Sequence, residues 1–243
     1  MRMTDTVQDY CARGQDALLT TDYLSAERWL VRAEEVAQHS GDFDALARLY
    51  MPLQEARRQR RQCCSEGEVN LRIFGNPDPH ELLTTCTQGQ LLVAGPGTLA
   101  PAIALRRMAS ERRVYVDVFL AARYEVNATD VVMIVPTEDV AVPPAGAYSI
   151  DRLIRLAPPH AIIMPVCDLP EITTHGNTST FAVTQHIWER LHMPALSLAD
   201  QITDPLRRIN AYRDVIRIDY ACEFAHQRLS NAARDVARAT AHA

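Results

Sequence analysis

Between Gln90 and Leu120 the apolar residues change their period twice. Leu91-Leu92-Val93-Ala94 is an unbroken apolar run that stops at Gly95-Pro96-Gly97-Thr98. Leu99, Ile103, Ala104 and Met108 then recur at helical spacing, and Val114-Tyr115-Val116-Asp117-Val118 is a second β-branched run. Strand, glycine turn, helix and strand in that order make one βαβ unit. The same grammar holds from Val69 onward. It predicts strands at 70–74, 90–94, 114–120, 130–135 and 161–165, with helices at 79–86, 99–112, 150–156 and 180–192. Alternating strands and helices predict an α/β domain, a mainly parallel sheet covered on both faces in three layers. The run Val142-Pro143-Pro144-Ala145-Gly146 is expected to be a loop over the top or edge of that sheet.

The two ends of the chain read differently. Over residues 7–37, small residues (Gly14, Ala26, Ala33) alternate with larger ones (Tyr10, Leu18, Tyr23, Leu30), and Asp22 stands at a turn. This spacing resembles a single tetratricopeptide repeat, which implies two antiparallel helices held close by the small residues. A third helix is predicted from Asp42 on Phe43, Leu46, Leu49, Tyr50 and Leu53, with Pro52 set to kink it. A shift of ~34 residues puts Arg48 and Arg60 where a glycine and an alanine belong, so the array does not continue. One hairpin plus one helix cannot bury a continuous core alone, and must dock on the rest of the chain or on a partner. The segment Glu55-Ala56-Arg57-Arg58-Gln59-Arg60-Arg61-Gln62 reads as a solvated helix end whose arginines complement the dipole, with an anionic partner surface as the other reading.

Residues 63–69 read as a linker. Asp204-Pro205 marks a helix start, with the Asp as N-cap and the Pro at the first helical position. Leu206, Ile209, Tyr212, Ile216, Tyr220, Phe224 and Leu229 follow at helical spacing without an intervening Gly or Pro. A helix of ~33 residues would span about 50 Å. It either breaks near Ser230-Asn231 or reaches past the α/β domain, and it is expected to pack back on the N-terminal helices. The expected organisation is therefore 1–62 as a tetratricopeptide-like helical segment, 69–198 as a Rossmann-like α/β domain, and 203–240 as a long C-terminal helix.

Composition narrows the chemistry. The 243 residues contain no lysine, so every fixed cation is an arginine. That excludes a P-loop, a kinase-type lysine and a Schiff base. A net charge of -5 speaks against a nucleic-acid partner. The six cysteines lack a C-x-x-C pair and read as reduced thiols, with no metal site assigned. No apolar run approaches the ~18 residues of a membrane span, and no secretory signal is legible at the N-terminus. A cytoplasmic protein without a membrane partner is expected.

Gly95-x-Gly97-x-x-Ala100, with Asp117 about 20 residues on, resembles the Rossmann dinucleotide fingerprint. The same loop resembles phosphosugar-binding α/β folds of the sugar isomerase and initiation factor 2B type. Both resemblances imply backbone amides at a helix N-terminus receiving a phosphate, with Gly95, Gly97 and Thr98 in the cradle and Asp117 on a ribose. Pro96 removes one amide from that cradle, and Pro101 sits in the first helical turn. The competing reading, which we favour, is that the glycines permit a sharp strand-to-helix turn with Thr98 as N-cap. Glu138 and Asp139 follow the predicted strand at 130–135 and would share its crevice or form a surface turn. His160, Cys167, Asp168 and His175 gather around the last predicted strand in no recognisable catalytic spacing. His186, Trp188 and His192 lie on a predicted amphipathic helix, where packing is the default.

No catalytic residue is assigned. The sequence is read as a non-enzymatic interaction or scaffold protein with a protein partner, self-association being left open and no cofactor required. The alternative is an enzyme or sensor that binds a phosphorylated small molecule or nucleotide at Gly95–Thr98.

Overall fold

A computed structural model describes residues 6–173 and 178–241. The chain forms two compact units, one of residues 1–60 and 194–243, the other of residues 61–193. Among the described residues no helix is long and apolar enough to cross a membrane.

The first unit is helical. It comprises α1 (Val7–Leu19), α2 (Tyr23–Ser40), most of α3 (Phe43–Glu66), the end of α7 (Thr178–Asp200), α8 (Pro205–Ile218) and α9 (Glu223–Ala241). Thr6 and Asp9 form a reciprocal capping box that starts α1. Asp22 caps α2, and Gly41 ends it in the left-handed conformation. Gly14 lets α1 approach α2, since a Cβ there would stand 2.6 Å from Leu30 Cγ. Leu30, Tyr50, Leu53, Leu196, Val215, Ala225 and Leu229 belong to one buried cluster, so both ends of the chain line a single core. Ser230 Oγ donates to the Ala47 carbonyl at 2.6 Å, tying α9 to α3.

The C-terminal helical pattern is not one rod. It breaks at Asp219–Cys222, earlier than Ser230-Asn231, between α8 and the 19-residue α9. Neither Gly nor Pro makes this break. The Asp219 side chain accepts from the Ala221 amide at 3.1 Å, offering the backbone a turn in place of the helical ladder.

The polar core of this unit centres on Glu27. Arg57 Nε reaches its Oε1 at 2.9 Å and Arg60 Nη1 its Oε2 at 2.7 Å. Burial alone would raise the Glu27 carboxyl, but the two guanidiniums outweigh it and hold it down at about 2. Arg57 Nη1 also lies 3.1 Å from Nε2 of the fully buried His226, whose Nδ1 contacts the Cys222 carbonyl at 2.8 Å. A neutral imidazole with its proton on Nδ1 satisfies both contacts. Burial, and then the Arg57 charge, lowers the His226 pKa to about 4.

The second unit is a six-stranded, mostly parallel sheet with helices. Its strands are β1 (Glu68–Phe74), β2 (Gln88–Pro96), β3 (Tyr115–Val126), β4 (Thr129–Val135), β5 (Ala147–Tyr148) and β6 (Ile162–Pro165). The order is β1-β2-β3-β4-β6, with β5 added in parallel to β3. β1, β2 and β3 run parallel, with a register shift between Asn70 and Ile73 in the β1–β2 pair, whereas β4 is antiparallel to both β3 and β6. β3 runs six residues beyond its predicted end and turns into β4 through Asn127-Ala128. Both turn residues have positive φ, the mark of a two-residue hairpin turn. The expected linker at 63–69 shrinks to Gly67, because α3 continues to Glu66. A Cβ on Gly67 would lie 2.0 Å from the Gln88 carbonyl oxygen.

α4 (Pro79–Thr85), α5 (Ala100–Arg112) and α6 (Ile150–Leu156) bury Leu83, Leu105 and Leu153 with Leu91, Val93, Val118 and Leu120 of the sheet. On the opposite pleat, Phe119 packs on Trp188 of α7 at 4.5 Å between ring centroids. α7 starts earlier than expected and continues through Pro194 to Asp200.

Acid should unfold the helical unit in two stages. His226 titrates at 6.5 when unfolded and about 4 when folded, so the unfolded chain takes up the proton first as pH falls. That removes on the order of 3 kcal/mol between pH 6.5 and 4. The Glu27 contribution is present above 4.5 and lost between 4.5 and about 2. Urea midpoints measured across this range should show both slopes, and His226→Gln should abolish only the first.

Candidate functional site

The Gly95–Thr98 turn leaves β2 at the carboxyl end of the parallel strands. Gly97 has φ +60°, and a Cβ there would sit 2.0 Å from the backbone nitrogen of Ala145. Gly95 and Thr98 close the turn through a bridge pairing. The Gly97 amide donates to the Arg123 carbonyl at 3.2 Å, and the Ala100 amide donates to Thr98 Oγ1 at 3.2 Å. Thr98 thus serves the turn without being the N-cap, a position Leu99 takes without a side-chain bond. Pro96 and Pro101 have no amide to offer. The space over Gly97 is filled by the Pro-rich loop, which two tyrosines hold. Tyr124 Oη donates to the Pro143 carbonyl and Tyr148 Oη to that of Pro144, each at 2.8 Å. The two rings meet edge to face at 5.7 Å.

Topology gives the turn no ready crevice. α4 and α5 lie on the same face because β1, β2 and β3 are laid down in one direction, whereas open α/β sheets bind ligands where the strand order reverses. A groove of about 430 Å³ nonetheless flanks the turn, lined by Gly75, Pro96, Arg123, Glu125, Asp130 and Gly146. Arg123 forms an ion pair with Asp130, and its guanidinium lies over the Phe74 ring at 5.0 Å. One arginine against two carboxylates leaves the groove with no surplus positive charge for a phosphate.

Asp117 does not join Gly95, Gly97 and Thr98. It is in register with Gln90, five residues before the Gly95–Ala122 pair, which places it roughly 16 Å away along the strand. It is 3% exposed, and its Oδ2 lies 2.8 Å from Arg61 Nε. The Arg61 guanidinium covers the Trp188 ring at 4.2 Å. Beside it, Gln90 Nε2 donates to Ser65 Oγ at 2.5 Å. Asp117 is therefore half of a buried ion pair in the sheet face, and a ribose at the turn is out of its reach. Arg61, expected on a solvated helix end, is 7% exposed.

The remaining candidates disperse as well. Because β4 is antiparallel, Val135 pairs with Leu120, so Glu138 and Asp139 head towards the amino ends of the parallel strands. Cys167 and Asp168 are exposed in a short turn, His160 is half-buried at φ +65°, and His175 lies outside the described residues. His186 is exposed, while Trp188 and His192 are buried. No group of three His, Cys, Asp or Glu side chains suited to a metal ion occurs among the described residues. Sequence reasoning missed Arg123 and Tyr124, which lie in the unpredicted extension of β3, and Gln90, taken only as the start of an apolar run.

No family model matches the chain, and neither a curated protein nor a solved structure does.

Two sets of variants separate a structural from a ligand-binding role for these residues. Asp117→Leu or Arg61→Leu alone should lower stability by about 3–5 kcal/mol in urea unfolding, because each leaves a buried charge unpaired. The double variant should recover most of that loss. Gly97→Val should cost about 2 kcal/mol or more, since it meets both a left-handed φ and the Ala145 backbone.

Proposed function

We propose that this is a non-enzymatic interaction or scaffold protein. The α1–α2 hairpin, of tetratricopeptide type, serves as its partner-binding part, and the Rossmann-like unit serves as a folded platform. One observation carries this reading: the polar groups that would do chemistry are already engaged within the chain. The Gly97 and Ala100 amides bond to Arg123 and Thr98, the Asp117 carboxylate faces Arg61, and Glu27 is held between Arg57 and Arg60. A nucleophile–base pair or a cluster of titratable groups in a cavity is what an enzyme of this fold would need.

The groove beside Pro96 favours a second reading, a sensor or enzyme that takes a phosphorylated small molecule or nucleotide next to the Gly95–Thr98 turn. Arg123 would have to exchange Asp130 for that ligand. Thermal unfolding in the presence of nucleotides and sugar phosphates decides between the two. We expect no shift. A ligand that raises the midpoint by several degrees in the native chain, but not in Arg123→Gln, would overturn the interaction reading.

A further inference from the structure

We infer that α8–α9 is a second hairpin of the same make as α1–α2, that both are fastened to α3 through Arg57, and that a proton on His226 unfastens α9 while α2 stays held. This conformational device goes beyond the interaction reading and does not depend on it. In α2 the order Ala26-x-x-x-Leu30-x-x-Ala33 lies on the buried side, and in α9 it recurs as Ala225-x-x-x-Leu229-x-x-Ala232. All six side chains are at most 1% exposed and belong to one core cluster. The helix before each follows suit, with Tyr10 and Ala17 of α1 matched by Ile209 and Ile216 of α8, all packed in that cluster. Gly14 is the exception, since Arg213 stands in its place and reaches Glu34 of α2 at 3.3 Å. The usual ~34-residue period misses this likeness because residues 61–193 intervene in the chain.

The position after the first alanine differs between the two, being Glu27 in α2 and His226 in α9. Arg57 of α3 serves both, its Nε donating to Glu27 Oε1 at 2.9 Å and its Nη1 to His226 Nε2 at 3.1 Å. The second contact requires a bare Nε2, and the Cys222 carbonyl at 2.8 Å keeps the single ring proton on Nδ1. A second proton has one place to go, the atom that faces Arg57. It would turn the acceptor into a donor and set two cations against each other without water. The charged groups acting on His226 from the neighbouring elements are Arg57 of α3, Glu27 of α2 and Asp219 in the turn before α9. Burial first and Arg57 second oppose the proton, and the two carboxylates favour it less strongly. Both Glu27 oxygens already accept, from Arg57 and Arg60, and Asp219 accepts from the Ala221 amide.

Leaving α3 lets the imidazolium reach water. The α2 contact has no such trigger in mild acid, because the two guanidiniums keep Glu27 ionised down to about pH 2. Between pH 6.5 and about 4 the released form of α9 takes up the proton that the closed form refuses, so falling pH favours release. The apolar core opposes it, as does Ser230, whose hydroxyl donates to the Ala47 carbonyl at 2.6 Å. These keep α9 in place at neutral pH, and the first stage of acid opening starts at α9.

Native-state amide exchange on the full chain, followed at pH 7 and pH 5 and corrected for the intrinsic pH dependence of exchange, tests the device. We expect the protection factors of α9 to fall about tenfold or more, while those of α2 change far less. In His226→Gln, whose side-chain amide stays neutral at either pH, α9 should hold its protection. The comparison of α2 with α9 in the unsubstituted chain decides by itself if that variant folds poorly. Equal losses in α2 and α9 overturn the proposal, since the unit then opens as a whole. Unchanged protection in α9 also overturns it, and so does a loss that persists in folded His226→Gln, which would place the trigger elsewhere.

Discussion

A carboxylate taken out of water needs a cation beside it, and Glu27 and Asp117 show this in the two units. In the helical unit Glu27 is held by Arg57 and Arg60 from α3. In the sheet unit Asp117 is held by Arg61. Taking such groups out of water costs several kcal/mol each, and only close, hydrogen-bonded pairing offsets it. With no lysine in the chain, the planar guanidinium is the only fixed cation for the task, and its fork suits two oxygens at once. Losing one partner of such a pair leaves the other as an unpaired buried charge.

The same constraint explains the basic stretch of α3. Arg57 and Arg61 are buried, whereas Arg58 remains outside and pairs with Glu55 three residues before it. Arg60 bonds Glu27 and lies over the Tyr220 ring at 4.2 Å, just beyond the Asp219 turn that separates α8 from α9. An arginine-rich segment that reads as a surface patch is thus largely an internal device.

In the sheet unit the glycine turn after β2 is shaped by packing. Gly97 is glycine because its φ is positive and the Ala145 backbone occupies the position of a side chain. Ala145 is there because Tyr124 and Tyr148 hold the prolines before it by their carbonyls. Burial raises the pKa of Tyr124, as expected for a phenol kept neutral to donate this bond. The turn and the Pro-rich loop therefore form one structural element, although some fifty residues separate them in sequence.

The sequence by itself determined the elements. Apolar periodicity located most of the helices and the strands of the sheet, and the Asp204-Pro205 start stands as read, because these signals are local. It also determined that the chain is an α/β protein with a mostly parallel sheet. Boundaries failed where local chemistry was ambiguous. Asn127-Ala128 lacks the glycine that would announce a hairpin, and Asp219 makes a turn that a helical pattern conceals. Only the tertiary structure decided the partners of charged side chains. Asp117 sits at the right sequence distance from Gly97 for a ribose, yet strand register carries it to the far end of β3 and a helix from elsewhere supplies Arg61. Spacing along a chain fixes which face a residue shares with its neighbours. Which charge it meets there depends on long-range packing, and no local pattern encodes that.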